Sequence, residues 1–535
     1  MKGYPKANYI ISGFTEGFKL NFHGKNQSLS SSNSPSASTL PEVIDATIEN
    51  ELSLARIAGP YSSPPFQHFK SSPLALRQKK EGGRYRMLHN LSYLYNSQSV
   101  NANIPQEFAT VSYSSITDAI HLIQKCSPNV FLAKSDISEA YRLVPIHPTD
   151  YHLTGFQWKN LYYYDRCLPQ GCRSSCQIFE TISSAFLWIL KTHFGYDTIV
   201  KVLDDFLFVA SSRETCQEML ISFQNLADTI GLPLAPHKTV GPTKVLTFLG
   251  IELDVQTHTA RLPPEKLSLY SENINKVLSS SKITLKELQS LIGQLQFSTS
   301  VVRYGKAFIR RLIDQTMGVS KPFYYIRVRK DEKEDLRMWR AFLRHYNGVT
   351  IIRPPSLASS DSVNMYTDAC KLGFGGTFGR CWIQEKFPNN WSTYSITFLE
   401  IYPIYVLLSV FAHKLRNSKL TFYCDNEAVV TILNKQTSKN KDVMHVVRFI
   451  DYLQLLFNFS IVGRHIPGHS NVLADRLSRF QVSSATLHQF GMQEMKTTVP
   501  PLLLPENFSS NWTTCLESLY SQLLLTHTVT TGTTL

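Results

Sequence analysis

The sequence predicts an α+β multidomain protein, on three observations. Its 535 residues fill about three domains of ordinary size. Between residues 130 and 254, strand, helix, acidic hairpin, helix and strand follow in that order, which describes a sheet domain with helices on one face. After residue 361 a separate α/β pattern begins, with acids at strand ends and helix starts.

The acidic hairpin organises the first pattern. Ile199 to Val209 runs apolar, rises to Asp204-Asp205, and returns to apolar residues. β-branched and aromatic residues on both sides predict two strands with the acidic pair at a tight turn. Burying adjacent carboxylates is costly, because like charges repel and desolvation adds to the cost. A divalent cation at the turn removes that objection. For a lone pair, a solvated Asp-Asp tip is the more ordinary explanation.

Bulk properties narrow the class. Hydrophobic residues make up 43% of the chain. The longest apolar run, Ile401 to Ala412, is too short to span a bilayer. No apolar core follows the charges of Met1 to Lys6, so no secretory signal and no membrane association are expected. The expected location is intracellular, in the cytoplasm and/or nucleus. A net charge of +13 and a pI near 9.1 fit a polyanionic partner such as nucleic acid. Nine scattered cysteines suit reduced thiols. Cys167, Cys172 and Cys176 lack a CxxC pair or a spaced His, so they read as thiols rather than a zinc site.

In chain order, residues 1–48 are expected to be a flexible arm with a low-complexity linker from Ser28 to Ser38. A short helix from Pro41 to Ala55 follows. Leu74 to Leu88 reads as a hairpin with Gly82-Gly83 at its turn and Lys79, Lys80, Arg84 and Arg86 around the tip, a clamp for phosphates or a solvated turn. A strand ends on Asp136. Leu161 to Leu168 is a strand, Pro169-Gln170-Gly171 a turn, and Ser174 to Thr192 a helix. Cys216 to Ile230 is another helix, and Leu246 to Leu253 opens a strand pair. Thr284 and Glu287 form a capping-box pattern ahead of a helix. Arg303, Lys306 and Arg310 recur at helical spacing with Arg311 alongside, a cationic stripe suited to a duplex backbone or to solvent. Asp331 to Arg344 is helical, packed through Leu336, Trp339 and Leu343.

Residues 72 to 254 resemble the fingers and palm of a reverse transcriptase, with its motifs in order. The resemblance makes Asp136, Asp204 and Asp205 the catalytic, metal-binding acids and the Ile137 carbonyl a further metal ligand. It puts Tyr141 beneath the sugar as a gate, and Gln170 and Gly171 in the turn that contacts template and nucleotide. Lys79 and Arg86 align with the cations that hold the triphosphate, and Lys238 with a later substrate-binding Lys. Phe248-Leu249-Gly250 matches the primer grip. The family usually carries an aromatic where Val202 stands. Carboxylates from two strands can bridge two divalent ions roughly 3.5–4 Å apart, as nucleotidyl transfer requires.

Thr367-Asp368-Ala369, Leu399-Glu400, Cys424-Asp425-Asn426 and Ala474-Asp475-Arg476-Leu477 similarly resemble the motifs of a ribonuclease H domain. The resemblance makes Asp368, Glu400, Asp425 and Asp475 catalytic and metal-binding; His469 stands in the Gly-His of the family's loop. The expected architecture is a right-hand polymerase (fingers, palm, thumb) followed by an α/β ribonuclease H-like domain with a mixed sheet. Boundaries are drawn at 1–48 (arm), 49–260 (fingers and palm), 261–348 (helical thumb and connection), 349–361 (linker), 362–480 (ribonuclease H) and 481–535 (tail). Segments such as Glu51 to Pro65, Leu88 to Ser92, Ser99 to Asn101, Tyr141 to Pro148 and Ala474 to Arg479 resemble DIRS-group retrotransposons. That implies Mg²⁺ or Mn²⁺, two ions per site; an RNA template, a DNA primer, an RNA-DNA hybrid and dNTPs as partners; and a separately encoded tyrosine recombinase. A catalytically silent nucleic-acid-binding relic is the competing reading, and it leaves seven intact acids unexplained.

Overall fold

The computed structural model of the protein describes residues 3–78, 85–95, 98–345, 350–351, 364–415, 418–457, 459–493 and 495–508. Its chain divides into two compact units, Met1–Leu249 with Asp254–Gln256, and Gly250–Leu253 with Thr257–Leu535.

In the first unit the apolar run after Asp205 becomes a central strand because both of its faces are covered. Phe206, Leu207, Phe208 and Val209 are fully buried. They belong to a four-stranded sheet ordered Ile199–Val202, Asp205–Ala210, Phe131–Asp136, Val240–Thr243. The helices Ser175–Phe194 and Arg213–Thr229 supply Phe179, Phe186 and Phe223 to the same core as Phe206 and Phe208. The Phe206 and Phe223 rings lie 4.7 Å apart. A second sheet orders Ile57–Tyr61, Leu161–Asp165 and Gly155–Trp158, and the expected hairpin pairs Leu74–Gln78 with Tyr85–His89. The tip of that hairpin, including Lys79, lies outside the described residues.

The arm 1–48 departs from expectation, because it is built into the unit. Ala7–Glu16, Pro35–Thr39 and the start of Pro41–Ser53 are helical. Phe18 and Leu20 are buried in the same core cluster as Ile137 and Phe206; each such side chain is worth about 1.5–3 kcal/mol. The Ser-rich stretch is no free linker either. Asn33 accepts from the Leu74 N–H at 2.8 Å and donates to the Gln157 carbonyl at 2.8 Å, while Ser36 accepts from the Leu76 N–H at 3.1 Å. Its polar side chains satisfy backbone groups of strands far along the chain.

The second unit opens with helices Pro264–Ser279 and Leu285–Ser298; Thr284 and Glu287 make the predicted capping box. The cationic stripe is not formed as predicted. Arg303–Phe308 is a 3₁₀ helix rather than α, Arg310 pairs with Asp314 at 2.7 Å, and Arg311 turns inward to Asp335 at 3.2 Å. Arg448, on the helix Lys441–Phe457, reaches the same buried Asp335 at 3.4 Å. The mixed sheet runs Cys381–Lys386, Gly373–Phe378, Met365–Ala369, Lys419–Cys424, Ser460–His465. Its first three strands are antiparallel and the last two join in parallel.

The apolar run at 401–412 lies within a longer helix. With its flanks it forms a 19-residue helical stretch, Ile396–Lys414, long and apolar enough to cross a membrane by length and composition, and 78% of it is buried inside the unit. It is the core helix against the sheet. Residues after 480 pack as well: Leu487 and Met492 join Trp382 and Leu477, and the Leu503 carbonyl accepts from the Tyr402 hydroxyl at 3.0 Å.

Candidate active site

Two acidic clusters form, one in each unit. In the first, antiparallel register places Asp136 directly opposite Asp205, and the Ile137 N–H donates to the Asp204 carbonyl at 3.0 Å. Leu203 takes a left-handed conformation (φ 53°), which tightens the turn and presents Asp204. Burial, then the Asp136 charge, raises the Asp204 carboxyl above its ordinary range. The Asp205 carboxyl is pushed up to about 7, by burial first and by its acidic neighbours second. Lys238 donates to Asp136 at 2.9 Å. Burial opposes its charge, but the Asp136 hydrogen bond and the three carboxylates raise its pKa on balance.

These groups border a cavity of about 1040 Å³, lined by Arg86, Asp136, Ile137, Tyr141, Gln170, Asp204 and Lys238 among others. Asp205 stands opposite Asp136 in the strand pair, and Gly171 follows Gln170 in the turn. Gly171 is obligatory: a Cβ there would lie 1.8 Å from the His89 carbonyl oxygen. The strand end at His89 therefore rests on the turn that carries Gln170. Tyr141 hydrogen-bonds Cys176 at 3.2 Å and packs edge-on against Phe179. Burial is the main cause of its raised pKa.

Sequence reasoning missed the ionic frame beside this cavity. Arg142 binds Glu51 at 2.6 Å and Asp165 at 2.7 Å, and Asp165 also holds His89 Nδ1 at 2.8 Å. Arg56 extends the frame to Glu139 at 2.6 Å. These residues come from four separate segments, so no local spacing could have revealed them.

In the second cluster, parallel register explains the convergence. Tyr366 pairs with Tyr423, so Asp368 and Asp425 leave the same end of adjacent strands. Glu400 arrives from the core helix, and its Oε2, like Asp425 Oδ1, is buried with no hydrogen-bond partner. A Cβ on Gly375 would lie 2.1 Å from Leu477 Cβ, so that glycine lets the helix Val472–Ser478 approach and bring Asp475. Ser478, given no role by sequence reasoning, donates to Asp368 at 2.5 Å. Burial and neighbouring acids raise the Glu400 carboxyl to about 9 and that of Asp368 to about 6. Asp475 pairs with Arg479 at 2.7 Å. His469 lies exposed in the preceding turn, whereas His465 reaches the Asp425 carbonyl at 3.2 Å. Glu400, Cys424 and Asp425 bring donor atoms within 4.8 Å of one another. Clustered carboxylates with raised pKa values in both places, and orphaned oxygens in the second, suit hard divalent cations.

Residues 78–253 match the family described as reverse transcriptase (RNA-dependent DNA polymerase). More particular relatives follow. The Gag-Pro-Pol polyprotein of Human T-cell leukemia virus 3 (strain 2026ND) is 25% identical over 246 residues, 44% of this chain and 15% of that protein. The genome polyprotein of Petunia vein clearing virus (isolate Hohn) is 21% identical over 410 residues, 74% of this chain and 17% of that protein. The chain thus spans less than a fifth of the length of these relatives. Among solved structures, the foamy viral protease-reverse transcriptase in complex with RNA/DNA hybrid superimposes with a TM-score of 0.51 at 16% identity, covering 83% of this chain and 56% of that one. Its complex with dsDNA gives 0.50 at 16%, covering 84% and 87%. The chain therefore has the fold of that polymerase.

Proposed function

We propose that the chain is an RNA-directed DNA polymerase with ribonuclease H activity, encoded by a retrotransposon of the DIRS group. The observation that carries the reading is the convergence of Asp136 and Asp204 on one cavity, with Asp205 paired across the strands from Asp136 and with Arg86, Lys238 and Gln170 around the same space. The family match over residues 78–253 supports it.

In this reading the cavity takes a dNTP over the end of a DNA primer paired with an RNA template. Arg86 meets the triphosphate, Tyr141 closes under the sugar, and Gln170 contacts the paired bases. Lys238 holds Asp136 in place and offsets negative charge. Asp368, Glu400, Asp425 and Asp475 form the second centre, which takes the RNA strand of the hybrid. Two Mg²⁺ per centre, or Mn²⁺, would activate the attacking oxygen and offset charge on the leaving one. The protein would work inside the cell, in the cytoplasm and/or nucleus, alongside a separately encoded tyrosine recombinase.

A DNA primer on end-labelled RNA reads both halves in one tube. The wild type extends the primer and shortens the RNA. Asp425→Asn keeps extension and loses RNA cleavage; cleavage that persists in this variant removes the second centre from the account.

A further inference from the structure

In the second unit, the short antiparallel pair Lys282–Thr284 and Tyr325–Arg327 has one dry face and one wet face. Alternation buries Ile283 and Ile326, leaving Lys282, Tyr325 and Arg327 outward. The approach to the second strand adds Phe323 and Tyr324. Three consecutive aromatics thus stand exposed, at 68%, 50% and 65%. Phe323 and Tyr324 meet edge to face at 5.3 Å, and Lys282 Nζ lies 4.9 Å from the Tyr325 ring centre. Hydrophobic burial cannot explain rings left in water, and an exposed aromatic patch ordinarily marks a binding surface.

The charges around the rings select the partner. Lys282, Lys321, Arg327 and Arg329 are exposed, and none makes an ion pair among the described residues. Rings interleaved with free cations match a strand whose bases are unpaired: each base offers a π-face to a ring and each phosphate a charge to a Lys or Arg. A duplex hides its bases in the stack and would use only the cations.

We propose that this strand pair is a stacking platform for single-stranded nucleic acid. It takes unpaired strand without sequence preference, which suits template not yet copied or RNA already freed.

The test uses the full chain. Anisotropy with fluorescein-labelled oligothymidylate is compared with a blunt DNA duplex, for the wild type, Phe323→Ala/Tyr325→Ala and the ring-keeping Phe323→Trp/Tyr325→Trp. The Ala pair is expected to lose about tenfold or more in single-strand affinity, with duplex affinity unchanged and the Trp pair restored. Ultraviolet cross-linking of a bromouridine oligonucleotide is expected to map to residues 321–327. Unchanged single-strand affinity, or cross-links confined to other segments, overturns the proposal. So does loss of binding to anionic vesicles, or of self-association by light scattering, with oligonucleotide affinity intact. Primer extension by the Ala pair on a primer–template whose unpaired overhang is only a few nucleotides long is expected to stay normal, so failure here and failure of the polymerase reading are told apart.

Discussion

Asp136 and Asp205 face each other across an antiparallel strand pair, with Asp204 next in the turn. Three carboxylates held this closely oppose ionisation of one another, and the fold keeps them there at a cost in stability. That strain is the signature of a site shaped for cations, and it is measurable.

The sign follows from proton linkage. The Asp205 carboxyl titrates near 7 in the folded chain, above an unfolded value of about 4. The folded state therefore holds a proton that the unfolded state has lost between those values, and stability falls as pH rises through that window. Asp205→Asn removes the penalty. Without divalent metal, thermal melts should show the variant more stable than wild type at pH 8, by on the order of 1–2 kcal/mol after screening, and equal to it near pH 4. Adding Mg²⁺ should stabilise the wild type more. A difference independent of pH would contradict the assigned strain.

Arg142 is the keystone of the ionic frame, holding Glu51 and Asp165 from inside the fold. Arg142→Met takes the shared guanidinium from both carboxylates, leaving Glu51 with Arg56 and Asp165 with His89, and breaking such a buried arrangement costs about 3–5 kcal/mol. The melting temperature should drop by roughly 6–15 °C. Arg142→Met/Glu51→Gln/Asp165→Asn should recover much of the loss, because no charge is then left unpaired. A single variant that melts like wild type would show the frame to be inert.

Tyr141 borders the cavity between Asp136 and Gln170, with its hydroxyl tied to Cys176. A ring fixed there should exclude a ribose 2′-hydroxyl. Tyr141→Ala is expected to incorporate ribonucleotides at least about tenfold more readily relative to deoxynucleotides, a change of about 1.4 kcal/mol. Equal discrimination in the two proteins would remove Tyr141 from that role.

The acids were legible because each follows a strand or sits on a strongly patterned helix: Asp136, Asp204, Asp368 and Asp425 end or adjoin runs whose burial is visible in the residues themselves. The Thr284–Glu287 cap was legible for the same local reason. The N-terminal arm was not. Phe18 and Leu20 carry no periodicity, and the bonds of Asn33 and Ser36 go to a strand about forty residues away. The cationic stripe misled because spacing shows where Arg311 stands but not that Asp335 lies within its reach. The ionic frame needed Glu51, Arg142 and Asp165 to be brought together from separate segments, and such pairing is tertiary information.

The central claim is that the first acidic cluster polymerises DNA on RNA. Its most direct measurement is primer extension on an RNA template with Mg²⁺, comparing wild type with Asp204→Asn, which keeps the size of the side chain and removes the charge. The wild type should extend the primer only when Mg²⁺ is present, and the variant should lose at least about a thousandfold in rate, about 4 kcal/mol of barrier. Absence of metal-dependent extension by the wild type, or equal extension by the variant, would contradict it.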